Sequence, residues 1–241
     1  MSNILGLNAF HGDASACLVK DGRIIAAAEE ERFRRIKHWA GFPSEAIRYC
    51  LSEAGLGLDD ISVVAINQDA SAHVWKKVAY TLSRRPDPRL VLNRIRNKQK
   101  RLGPDRALEQ LFPGEVFHGT VDTVEHHFAH LSSAYHVSPF DEAVVVSVDG
   151  FGDFSSGAWG LAQGTQINVD GRVYFPHSLG IFYQAMTQFL GFPHYGDEYK
   201  VMGLAPYGRP TFMDEMRKIV KLRVDGSYEL NTRYFRHHRE N

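Results

Sequence analysis

The chain has 241 residues, 44% of them apolar and 23% charged, with 28 Lys and Arg against 28 Asp and Glu. That length can bury one large core or two small ones, and the balanced charge points to neither a nucleic-acid nor a membrane partner. Two cysteines without CxxC spacing, no basic leader before the first apolar run and no bilayer-length apolar stretch predict a soluble, cytoplasmic protein with buried thiols.

In chain order, ILGLNAF reads as a strand ending at His11-Gly12-Asp13, and ASACLV as a second strand. An Asp21-Gly22 turn then leads into a third strand, RIIAAAEEERF. Ser44 is placed to cap a helix, SEAIRYCLSEAG, with Ala46, Ile47, Cys50 and Leu51 on one face and Gly55 closing it. ISVVAI follows as a strand, so the opening order is βββαβ. Residues 70 to 113, punctuated by Pro86, Pro88, Pro104 and Pro113, read as a helical insert. Within them 84–101 carries a strong basic excess, expected as an amphipathic helix on a solvated face.

The stretch from Val124 to Gly152 is the most informative. Its first half reads as a helix with His126 and His130 four residues apart, hence one turn apart on one face. The second half, AVVVSVDG, reads as a strand covered on both faces, ending at Asp149. In open α/β sheets ligands gather outside the carboxyl ends of strands. Two imidazoles and a carboxylate suit a borderline or hard divalent metal, although a surface helix followed by an ordinary Asp-Gly turn fits the same letters. His127 has no evident purpose in this pattern.

Beyond it, FGDFSSGAWGLAQG and a short strand near Arg172-Val173-Tyr174 echo the opening meander, with Asp170-Gly171-Arg172 set where Asp21-Gly22-Arg23 stood. The echo predicts two similar lobes, whose small-residue turns let backbone amides approach a phosphate. SLGIFYQAMTQFLGF is a helix whose Leu179, Phe182, Met186 and Phe189 stripe predicts core packing. In GDEYKVMGLAPYG, Lys200 is either a phosphate contact or a salt-bridged surface lysine. TRYFRHHREN offers no element to close the second lobe.

Five of these segments in order, ILGLNAFHGDASACLVKDG, AAAEEERFRRIKH, His126-x-x-x-His130, SVDGFGD and GDEYKVMGLAPYG, resemble the carbamoyltransferases of the nodulation and antibiotic-tailoring type, from Ile4 to Gly208. The resemblance implies an α/β fold of duplicated actin/hexokinase/Hsp70-like (ribonuclease H-like) lobes. The first lobe would span 1–125, with its helical insert at about 70–113. The metal-binding helix and an incomplete second lobe would span 126–241. It implies transfer of a carbamoyl group from carbamoyl adenylate, made from carbamoyl phosphate and ATP, to a hydroxyl of a small-molecule acceptor. It implies a divalent metal (Fe2+, with Zn2+ or Mn2+ as alternatives) at His126, His130 and Asp149, and catalytic roles for His11, as general base, and Asp13. Lys37, Gly150, Gly152, Asp153, Lys200 and Gly203 are the implied substrate- or nucleotide-binding positions. Family members are more than twice this length. A further Asp ligand is therefore expected downstream of residue 241, and an adenylate-forming C-terminal domain as a partner in cis or trans. A homodimer is compatible with all of this. Two other readings share the fold, an ATP-binding kinase or ATPase, which does not explain the paired histidines, and a non-catalytic truncated remnant.

Overall fold

The computed structural model describes residues 2–84 and 103–238, so the expected basic helix lies, from residue 85 on, outside the described residues. The described residues divide into two units, 2–69 with 103–124, and 70–84 with 125–238. No helix among them is long and apolar enough to cross a membrane.

The first unit is a five-stranded mixed sheet in the order β3-β2-β1-β4-β5. β1 (Asn3–Asn8), β2 (Ser15–Lys20) and β3 (Arg23–Glu29) form an antiparallel meander. β4 (Val63–Ile66) and β5 (Thr120–Thr123) extend it in parallel from β1. The period-2 pattern of β1 buries Leu5 and Leu7. Onto that face pack Ala46, Ile47, Cys50 and Leu51 of α2 (Ser44–Ala54) and Leu108 of α4 (Pro104–Leu111). Gly55 ends α2 in the left-handed region at φ 64°, as the sequence predicts.

Two local readings change. The third strand stops at Glu29, and Glu31–Arg34 turns into a short helix, α1. Ser44 is the first helical residue and not the cap; the amides of Glu45 and Ala46 are instead taken by the Glu30 carboxylate, each at 2.9 Å. The acidic run that read as strand thus supplies a long-range cap to α2.

The second unit holds α3 (Val74–Arg84) and α5 (His126–Tyr135), and a three-stranded antiparallel sheet of β6 (Glu142–Gly152), β7 (Ser155–Gln163) and β8 (Gln166–Tyr174). It is the same meander that opens the first unit. α6 (Leu179–Phe189), α7 (Glu198–Leu204) and α8 (Met213–Ile219) follow, with a small hairpin of β9 (Val220–Leu222) and β10 (Tyr228–Leu230) that the sequence did not suggest.

Three expectations are corrected here. β6 is covered on one face only: Val145 and Ser147 are buried, whereas Val144, Val146 and Val148 are 75%, 63% and 55% exposed. The α6 stripe is not core, since Phe189 is 82% exposed and only Thr187 of that helix is buried. Among the described residues, too few apolar groups face these surfaces to cover them. Finally, Asp170-Gly171 is not a turn. It lies inside β8 opposite Trp159, and the β7–β8 turn falls at Gly164. Gly171 is required there because the Trp159 indole fills the place of a side chain, 2.2 Å from where a Cβ would be.

Candidate metal centre

α5 begins where Glu125 turns its carboxylate back onto the amides of His127 and Phe128, at 3.1 and 2.9 Å. The third open amide, that of His126, donates to Asp153 Oδ2 at 3.0 Å. Two carboxylates thus satisfy donors that a helix start leaves unpaired. Asp153 lies in the β6–β7 turn with φ 48°, beside Phe154 at φ 77°. The helix is therefore fastened to the hairpin that also carries Asp149.

Helical spacing sorts the histidines. His127, Leu131 and Tyr135, four residues apart, form the buried face against β6 and β7. His127 is fully buried and its Nδ1 lies 2.8 Å from Ser147 Oγ. Burial holds its pKa below the ordinary imidazole value, which favours the neutral ring. His127, which had no evident purpose in the sequence, is the core residue of this helix. The signal for it was its register with Leu131 and Tyr135.

His126 and His130 occupy the neighbouring stripe and meet Asp149. His126 Nε2 is 2.9 Å from Asp149 Oδ2, His130 Nε2 is 3.4 Å from the same oxygen, and the two imidazole nitrogens are 3.1 Å apart. Donors bound at about 2.0–2.1 Å to one ion are separated by about 2.8–3.0 Å at right angles and about 3.3–3.4 Å at tetrahedral angles. All three edges fall in that interval, so the triangle has the dimensions of one face of a coordination shell. These three residues are the only such His/Cys/Asp/Glu cluster among the described residues. Hydrogen bonds from His126 and His130 hold the Asp149 carboxyl far below the usual carboxylate range.

Asp149 does not terminate its strand. β6 runs on to Gly152, but pairing with β7 lapses after Val148 and resumes at Gly152. Asp149 faces α5 by strand alternation, on the same side as Val145 and Ser147, whose hydroxyl meets His127. Ser178 Oγ holds the Asp149 carbonyl at 3.0 Å, and Gly180 packs so closely that a Cβ there would sit 2.6 Å from Gly150 N.

The other predicted positions distribute unevenly. Gly152 adjoins the centre, but the space beside it is filled by the His126 ring, 2.0 Å from where a Cβ would lie. Gly150 has open space beside it. Lys200 on α7 is held by Asp197 at 2.6 Å, with Gly203 one turn further along that helix. His11, Asp13 and Lys37 belong to the first unit. There Asp13 Oδ1 bonds His38 Nδ1 at 2.8 Å, a pairing not foreseen because 25 residues separate the two. Sequence reasoning also missed Glu125 and Arg172, an ion pair at 2.8 Å joining the start of α5 to β8.

Residues 3–241 match the family described as carbamoyltransferase N-terminus, and the chain belongs to that family. It is 36% identical to an uncharacterized protein of Synechocystis sp. over 98% of this chain and 40% of that one. It is 34% identical to the nodulation protein NolNO of Sinorhizobium fredii, over 92% of this chain and 32% of that protein. With the nodulation protein NolO of Bradyrhizobium diazoefficiens it shares 40% identity over 45% of this chain and 20% of that protein. The chain thus spans 40% or less of these relatives. Among solved structures, YeaZ from Pseudomonas aeruginosa overlaps 71% of this chain and 65% of its own at 17% identity, with a TM-score of 0.38.

Proposed function

We propose that this chain forms the acceptor-side part of an O-carbamoyltransferase, moving a carbamoyl group from carbamoyl adenylate to a hydroxyl of a small molecule, and that His126, His130 and Asp149 hold a divalent metal there. The observation that carries the reading is the donor triangle, whose two nitrogens and one oxygen have the separations of ligands on one ion. Family membership supplies the reaction class. Two imidazoles and a carboxylate match iron(II), zinc or manganese.

When bound, the metal would supply Lewis acidity to the oxygen that gains charge as the alcohol attacks the carbamoyl carbon. The chain's own residues do the rest. Asp153 and Glu125 fix the first turn of α5, and the His127–Ser147 bond seats that helix on β6, so both imidazoles face Asp149 without rearrangement. Space is open beside the Gly150 Cα, but its amide would have to leave Asp149 Oδ1 to meet a phosphate oxygen. Lys37 and Lys200 are the cations proposed for carbamoyl or phosphate oxygens; Lys200 would have to exchange its Asp197 partner for the ligand. An imidazole of the first unit takes the acceptor proton, His11 being the candidate that the sequence offers. Carbamoyl adenylate itself would come from carbamoyl phosphate and ATP on a partner domain.

Elemental analysis of anaerobically purified protein tests the proposal. Near-stoichiometric iron, zinc or manganese is expected in the parent chain and none in His126→Ala. Absence of metal from both proteins, or equal metal in both, would overturn the metal-centred reading.

A further inference from the structure

The geometry points to His38, oriented by Asp13, as the group that removes the acceptor proton; this rests on the transfer reading above and specifies its base. Asp13 lies in the loop between β1 and β2, at the carboxyl end of a strand that pairs in parallel with β4, where α/β sheets place ligands. His38 lies in the segment between α1 and α2. Asp13 Oδ1 and His38 Nδ1 are 2.8 Å apart, and the two side chains are about half and about a third exposed.

Bracing the loops does not require this pair. Backbone bonds already tie them on both sides, Phe10 N–H to the Gly41 carbonyl at 2.9 Å and Ala14 N–H to the Trp39 carbonyl at 3.0 Å. Asn8 Nδ2 anchors the first loop through the carbonyls of Gly12 and Asp13, and the His38 amide donates to Glu31 Oε2. Yet both members of the pair are held at positive φ, 61° for Asp13 and 54° for His38, in a region that side chains other than glycine's seldom adopt. Such conformations persist where the surroundings over-determine them, as functional loops do.

The chemistry follows from the bond. A carboxylate only accepts, so in the neutral imidazole the proton sits on Nδ1 and the basic lone pair on Nε2. In the transfer, the acceptor O–H proton passes to His38 Nε2 and the acceptor oxygen bonds the carbamoyl carbon. The bond from that carbon to the phosphate oxygen of AMP breaks, and AMP leaves with the electron pair. Asp13 acts as a positioning residue, holding the tautomer and compensating the charge the ring acquires.

The test supplies the 241-residue chain with preformed carbamoyl adenylate, uses water as the hydroxyl acceptor and follows AMP release. His38→Gly removes the ring and suits φ 54°, and Asp13→Asn is isosteric and tolerates positive φ; circular dichroism checks the fold of each. Release should slow about 100-fold in His38→Gly and return in part with added imidazole. Asp13→Asn should slow release about tenfold in the His38 background and have no further effect on His38→Gly, because the two act as one unit. His38→Gly running at the parent rate, or slow release that imidazole leaves unmoved, sinks the role of His38 and leaves the transfer reading standing. Should the glycine variant not fold, a parent-like rate in Asp13→Asn sinks it equally. A parent chain releasing no AMP above the buffer rate defeats the transfer reading itself, and the assignment to His38 with it.

Discussion

Glu30 is completely buried, with Arg34 Nε at 2.6 Å on one carboxylate oxygen and the amides of Glu45 and Ala46 on the other. Arg34 in turn lies 4.5 Å over the Trp39 ring. A carboxylate so placed closes the β3–α1 junction and caps α2 at once. Removing it orphans two helix amides and a guanidinium. Glu30→Ala is therefore expected to cost about 2–4 kcal/mol of unfolding free energy, read by chemical denaturation. A loss below about 1 kcal/mol would mean that water replaces the carboxylate. Glu30 could not be singled out in the sequence, where it is the middle one of three consecutive acids, because what distinguishes it is a contact with residues 15 and 16 positions away.

At the scale of elements, α5 matters most. Its buried face is set by His127, Leu131 and Tyr135, its metal-facing stripe by His126 and His130, and its first turn by Glu125 and Asp153. Partners that orient ligands without touching the ion typically change affinity 10- to 100-fold when removed. Asp153→Ala should weaken cobalt or zinc binding by that order in a competition titration while leaving His126, His130 and Asp149 in place; unchanged affinity would show that the cap does not position the site. Glu125 adds a pH dependence. Burial raises its pKa, but the Phe128 amide and the Arg172 guanidinium outweigh this and leave the pKa below the ordinary value near 4.5. A depressed carboxyl contributes stability above the unfolded value and loses it as pH falls through and below it. Thermal stability should therefore fall below pH 4.5 less steeply in Glu125→Gln than in the parent. Identical acid profiles would remove Glu125 from the account. The elements misread from sequence share one cause. The end of β3 and the Asp170-Gly171 turn were judged on local letters, whereas the α2 amides decide the first and the Trp159 ring the second.

The whole molecule joins a well-filled unit to a sparsely filled one. Among the described residues, fourteen buried apolar residues form the core cluster of the first, from Leu5 to Leu108, against five in that of the second. Opening free energies follow buried apolar contact. Amide hydrogen exchange should accordingly be slowest in β1, β2 and α2 and clearly faster in β6 and α6; protection of α6 equal to that of α2 would contradict this packing. The exposed valines of β6 belong to a chain that spans 40% or less of its matched curated relatives.

Much of the fold, and the family, were legible in the letters. The meander of β1 to β3, the apolar face of α2 with its closing Gly55, and the His126, His130 and Asp149 set all follow from periodicity and residue chemistry, which are local properties. The family followed from ordered motifs along the chain. Other features depended on the tertiary structure: that Gly152 makes room for the His126 ring, and that Glu30 and Asp153 cap helices. The Asp13–His38 pair belongs with them. Each joins groups 15 to 27 residues apart, or matches a side chain to a space that only packing creates, and such matches leave no period in a sequence.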